Sequence, residues 1–209
     1  MAAAAKSVPP AIVGKEEMGA RLRRERKARK MTLQALSAAS GIAVSTLSKA
    51  ELGQIALSYE KFAALARALR IDMTRLFMAG EGDPAQVAPT FVKNSLADAR
   101  DYVTENYHYR LLMGEYPSKK MIPMWGTIDA RDVAEFEDYI RHPGHEFVVV
   151  LSGKVRIQFE NGESVVLNRH ESAYFDSGMG HVYLSLSKKP AEVLAVCSDA
   201  EALPIPKPL

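Results

Sequence analysis

Two hydrophobic rhythms divide the chain. From Glu16 to Leu76, apolar and small residues recur every three or four positions, and no proline falls between Pro10 and Pro84. That spacing predicts helices with one apolar stripe each. A first helix is expected over about Glu16 to Lys30. Thr32 is placed to cap a second that runs to Ala39, and Ser40-Gly41 offers the left-handed position that ends it. A third is expected from Val44 to Leu52, stopping at Gly53. Ser58 then caps a fourth that carries Phe62, Leu65 and Leu69. Helices this short hold only when packed together, with Leu36, Ile42 and Leu47 turned inward.

The second rhythm has period two. Glu81 to Pro89 is punctuated by Gly and Pro and reads as a linker. After Tyr107 the texture changes. Phe147–Leu151 is a continuous apolar run, expected as a buried strand, and Ser152-Gly153 turns the chain. Val155, Ile157 and Phe159 alternate with Arg156 and Gln158. Asn161-Gly162 signals a hairpin, and the chain returns over Ser164–Leu167. Further strands are expected at Ala173–Phe175, His181–Leu186 and Val193–Cys197. Many short strands with regular turns imply a closed barrel or sandwich. The segments expected are 1–14 as a disordered start, 15–78 as a helical domain, 79–95 as a linker and 96–209 as an all-β domain.

Charge separates the two halves further. The net charge is +2, but Lys15 to Met78 carries 13 Lys/Arg against 6 Asp/Glu. Ala79 to Leu209 carries 13 against 19. A basic first domain suits a polyanion and an acidic second does not. Cys197 is the single cysteine, which excludes an internal disulfide and fits a reducing cytoplasm. No apolar run is long enough for a membrane helix, and the start of the chain lacks the layout of a signal peptide.

Lys30–Ser37, Gly41–Gly53 and Ala64–Asp72 together resemble the phage-repressor (XRE) helix-turn-helix family over roughly residues 16 to 78. The resemblance implies a five-helix domain that binds double-stranded DNA, with the third helix in the major groove. Carried over by position, Val44, Ser45, Ser48 and Lys49 face base edges, and Thr46 lies where backbone amides hold a phosphate. Thr32 and Gln34 flank the start of the second helix. There Leu33 stands in place of the family's phosphate-binding Gln. The base-facing side chains are short and include no Arg or Asn for bidentate reading, which points to modest, water-mediated or shape-based specificity.

The β half holds a candidate metal site. His142 and Glu146 are four residues apart, a separation of ~13 Å in a straight strand. One ion could join them only if Pro143-Gly144 folds the segment back. His181, at the end of a later strand, would add a second imidazole if the barrel brings it alongside. Two His and one carboxylate suit Fe(II), Zn, Mn or Ni and leave positions open for a ligand. His142–Gly153 and Leu167–His181 resemble the two motifs of the cupin double-stranded β-barrel. In that family two histidines separated by one residue precede the glutamate, and the first falls here on Ile140. His170 and Gly180 stand where the second motif has Gly and Pro. His145, His170 and His108 are expected outside the ligand set, and Tyr107 and Tyr109 line the effector pocket or pack its wall.

The fused layout resembles regulators in which a helix-turn-helix dimer reads a palindromic operator and a cupin binds a small effector or a metal, without catalysis. It is also similar to hydroxypropylphosphonate epoxidase, a mononuclear iron enzyme that uses the same two-His, one-Glu spacing. In that alternative Lys30 falls near a catalytic lysine and Tyr107 and Tyr109 near active-site tyrosines, while Tyr139 replaces a substrate-binding Asn. A third option is a metal-free cupin that only pairs two chains into a homodimer.

Overall fold

The computed structural model describes residues 14–71, 76, 89–104, 106–114, 116 and 119–198. The expected disordered start, most of the linker and the proline-rich tail lie outside the described residues. Four helices come first: α1 (Lys15–Ala28), α2 (Leu33–Ser40), α3 (Val44–Glu51) and α4 (Tyr59–Leu69). The fifth expected helix falls largely outside the described residues; Leu76, which is described, has helical backbone.

The caps follow the local sequence. Thr32 Oγ1 accepts a hydrogen bond from the Ala35 amide at 3.0 Å and opens α2. Gly41 closes it in the left-handed region, φ 75°, which glycine adopts without steric cost. Ser58 does precede α4, but its hydroxyl bonds the Glu60 carboxylate instead of a backbone amide. Leu22, Leu36, Leu47, Phe62 and Leu65 form the buried centre of the helical domain.

Among the described residues nine antiparallel strands follow: β1 (Arg100–Val103), β2 (Tyr107–Leu111), β3 (Met121–Ile128), β4 (His145–Ser152), β5 (Lys154–Phe159), β6 (Ser164–Asn168), β7 (Ser172–Asp176), β8 (His181–Ser185) and β9 (Ala191–Ser198). They form a six-stranded sheet, ordered β1-β2-β3-β9-β4-β7, and a three-stranded sheet, β6-β5-β8. Val148 and Val193 from the first sheet meet Val155, Ile157 and Leu184 from the second in one core. This is the two-sheet barrel that the alternating strands imply. The run at Phe147–Leu151 is not buried throughout: Val148 and Val150 point inward and Phe147 is 39% exposed. β3 has no clear signal in the sequence because Pro123 interrupts it. Pro123 lies beyond the end of β2, and its carbonyl accepts from the Leu112 amide at 3.1 Å.

The two domains share packing. Phe62 of α4 meets Tyr102 of β1 edge-on, ring centroids 5.2 Å apart. The Tyr102 hydroxyl donates to the Leu57 carbonyl just before α4. Leu111, Ile122 and Met124 extend the helical core onto the sheet.

Candidate functional site

On the helical domain, α2 and α3 meet across Gly41-Ile42-Ala43. Leu47 and Ala50 anchor α3 in the core, which leaves Val44, Ser45 and Lys49 exposed and Thr46 and Ser48 half-buried. Thr32 and Gln34 are exposed at the start of α2. Ala43, at the head of α3, supplies no side-chain cap, so first-turn amides there can meet a phosphate. The basic first helix is less available than its composition suggests. Arg21 is buried and bonds Glu17 and the Leu76 carbonyl. Arg26 grips Glu51 with two bonds of 2.6 and 2.7 Å and also reaches the Met31 carbonyl. Arg29 bonds Glu25 and the Leu69 carbonyl. These three tie the domain together. Arg23, Arg24 and Lys27 are exposed on the same helix, and Lys30 is exposed in the turn after it.

In the barrel, the chain does fold back between His142 and Glu146. Gly144 has φ 100°, and a Cβ there would sit 2.5 Å from the Ser198 carbonyl oxygen. The turn brings His142 Nε2 to 3.0 Å from Glu146 Oε2. His181, at the head of β8, places its Nε2 3.4 Å from the same oxygen. All three side chains are buried, and their candidate ligand atoms lie within 4.8 Å of one another. For a tetrahedral ion with bonds of ~2.0 Å, neighbouring ligand atoms sit roughly 3.3 Å apart. The two separations from Glu146 Oε2, 3.0 Å to His142 and 3.4 Å to His181, lie close to that value.

Supporting contacts orient the set. His181 Nδ1 lies 2.9 Å from the Met179 carbonyl. A carbonyl only accepts, so Nδ1 carries the proton, and the Nε2 of a neutral ring turns a lone pair toward Glu146. Two acceptors then face each other at 3.4 Å in a buried space. The arrangement calls for a positive charge between them, either a proton on Nε2 or a metal ion. The Tyr183 hydroxyl donates to Glu146 Oε1 at 2.6 Å, which leaves Oε2 for the ion. Burial, then the Glu146 charge, holds the Tyr183 phenol well above its ordinary range, so it remains a donor. Burial raises the Glu146 carboxyl too, but the hydrogen bonds and charge of His142 and His181 outweigh it and keep the group ionised. Such carboxylate and carbonyl contacts behind metal-bound groups tune affinity.

Tyr107 and Tyr109 both line the pocket, with Met124, Ile128, Ile140, Val193 and Ala195. Tyr107 is held rigidly: its hydroxyl accepts from the Tyr183 amide at 2.7 Å and donates to the Tyr183 carbonyl. Ile140, at the position of the absent fourth ligand, is a wall residue. His145 stacks on Tyr174, His108 pairs with Asp101 and His170 is exposed, all away from the triad. Lys30 and Tyr139 are not among the lining residues. Besides the apolar wall residues, three lining residues with polar side-chain atoms are not among the expected site residues. Tyr183 lies two positions after His181, so strand alternation could have found it. Cys197 is paired with Glu146 across β4 and β9, and Tyr59 comes from α4. Both of these depend on tertiary register that no local pattern carries.

A fold of this kind, with a helical reader ahead of a barrel that encloses a polar cluster, defines a two-domain helix-turn-helix–cupin protein. Residues 22–76 match the helix-turn-helix family model and residues 132–197 match the cupin domain model. No curated protein sequence matches the chain. Among solved structures, an HTH_3 family transcriptional regulator from Vibrio cholerae aligns over 90% of this chain and 97% of its own, with 18% identity and a TM-score of 0.63. Hydroxypropylphosphonic acid epoxidase from S. wedmorenis aligns over 90% and 100%, with 18% identity and a TM-score of 0.47. Its complex with fosfomycin covers 88% and 98% at the same identity and TM-score. At this identity the likeness to the Vibrio cholerae structure is one of fold. No described helix is long and apolar enough to cross a membrane.

Proposed function

We propose that the chain is a DNA-binding transcription regulator whose cupin domain holds a divalent metal on His142, Glu146 and His181 and receives a small effector beside it. The observation that carries the DNA-binding half is the face of α3, with Val44, Ser45 and Lys49 exposed and first-turn amides uncapped by any side chain. Exposed Arg23, Arg24, Lys27 and Lys30 supply phosphate-neutralising charge. Thr46 and Ser48 sit at the edge of the same face, with Thr32 and Gln34 at the head of α2. A homodimer would match a palindromic site.

In the barrel, the metal would act as a Lewis acid with positions left for a ligand atom. Fe(II), Zn(II), Mn(II) and Ni(II) all suit the donor set. Tyr107 and Tyr109 shape the apolar part of the effector site. Genome-wide footprinting of the full chain tests the reading. Discrete, salt-sensitive sites with two-fold symmetry are expected, and uniform occupancy of genomic DNA would overturn it. An iron-dependent oxygenase is the alternative use of the same triad. It requires stoichiometric iron and O₂ uptake with an organic phosphonate.

A further inference from the structure

One wall of the barrel pocket does not belong to the barrel. Among the described lining residues, Tyr59 is the one supplied by the helical domain. It is the first residue of α4. Its ring stands edge-on to the His142 imidazole, centroids 4.9 Å apart and planes at 80°. Its side chain is hydrogen-bonded to the Cys197 thiol, which in turn lies 3.9 Å from His142 Nε2. The space left among these groups is about 20 Å³, room for one water-sized species. An organic molecule with a ring or a short chain does not fit beside it.

The position of Tyr59 matters as much as its volume. It follows Ser58 and Leu57, whose carbonyl accepts from Tyr102 of the sheet. Seven residues separate it from the end of the exposed reading helix α3. A shift of Tyr59 therefore pulls on the start of α4 and on the Tyr102 contact, the seam between sensor and reader.

We propose that Tyr59 is the plug of the effector site: an organic effector enters only as the Tyr59 ring leaves, so effector occupancy and docking of the α4 N-terminus on the barrel exclude each other. The effector class follows from what the ring vacates. It is a small aromatic or apolar acid. Its anionic head meets the metal-binding end, and its body takes the place of the phenol against Tyr107, Tyr109 and Ile140. Linkage then gives the effector unequal affinity for two states of the reader, which regulation requires. The proposal rests on the sensor reading of the pocket but does not depend on which metal it holds.

Cys197, the single cysteine, reports on the plug without metal or DNA. It is 1% exposed and lies behind Tyr59. In the metal-stripped full chain, alkylation of Cys197 by iodoacetamide is expected to run at least tenfold faster in Tyr59→Ala than in the natural protein. Tyr59→Phe keeps the ring and is expected to stay within about threefold of it. Leu36→Ala, a cavity in the helical core, controls for general loosening. Equal rates in the natural protein and Tyr59→Ala would overturn the proposal, as would a rise of the same size in Tyr59→Phe or in Leu36→Ala. A second arm uses benzohydroxamate with the Co(II)-loaded chain. Its binding is expected to raise amide exchange at residues 57–65. Binding seen in the cobalt spectrum with no change there would also overturn the plug. Failure of Co(II) to bind would count against the metal reading instead, and the alkylation rates would still decide the plug.

Discussion

Among the described residues each domain buries one carboxylate, and the two are finished in different ways. Glu51 in α3 is met by Arg26, a guanidinium that stays charged and closes both oxygens with bonds of 2.6 and 2.7 Å. Glu146 in β4 is met by two imidazoles and a phenol, and no Lys or Arg is among the described residues that line its pocket. The first pairing is complete and does one thing, which is to pin α3 to α1. The second has partners whose charge is optional and whose lone pairs converge, so it can hold a proton or a cation. A buried carboxylate against a permanent charge is structure; one against histidines is a site.

That contrast can be broken by substitution. The largest effect is expected from Arg26→Ala. It strands Glu51, and removing one partner of a buried pair costs about 3–5 kcal/mol. At about 2–4 °C per kcal/mol for a chain of this size, calorimetry should show Tm lower by roughly 6–20 °C, with metal binding retained. Glu146→Gln should do the reverse. Calorimetric titration is expected to show Co(II) affinity down by more than about 100-fold, beyond the usual cost of losing a supporting contact, with a smaller fall in Tm than Arg26→Ala gives. A large fall in Tm with unchanged Co(II) binding would make Glu146 a strut like Glu51. Tyr183→Phe removes only the bond to Oε1 and should weaken Co(II) by about 10–100-fold. The smallest effects belong to the exposed cations: Lys27→Ala and Lys30→Ala should each lower the salt slope of DNA binding by about 1. Arg21→Ala should act on Tm instead.

Features with a local cause are legible in the sequence. Thr32 and Gly41 are a cap and a left-handed turn, and both stand where they are expected; α3 starts at the expected Val44 and ends at Glu51, one residue before the expected Leu52. The fold-back at Pro143-Gly144 is legible for the same reason. Composition misleads where burial decides. The seven basic residues from Arg21 to Lys30 look like one DNA-binding face, but Arg21, Arg26 and Arg29 are consumed by internal partners. The triad is legible as residue types, and Tyr183 by strand alternation from His181, but the rest of its support is not. Cys197 needs the register of β9 on β4, and Tyr59 needs the docking of two domains.

On the proposed function, an occupied barrel site changes how the helical domain binds DNA. The direct measurement is the affinity of the Co(II)-loaded full chain for a site recovered by footprinting, by fluorescence anisotropy at fixed salt, with and without saturating benzohydroxamate. Coupling energies of this kind are typically about 1–3 kcal/mol. The hydroxamate should therefore shift the affinity by about fivefold or more, and His181→Ala should abolish the shift. The same affinity with and without the hydroxamate, or a shift that survives in His181→Ala, would overturn the coupling of barrel and helical domain.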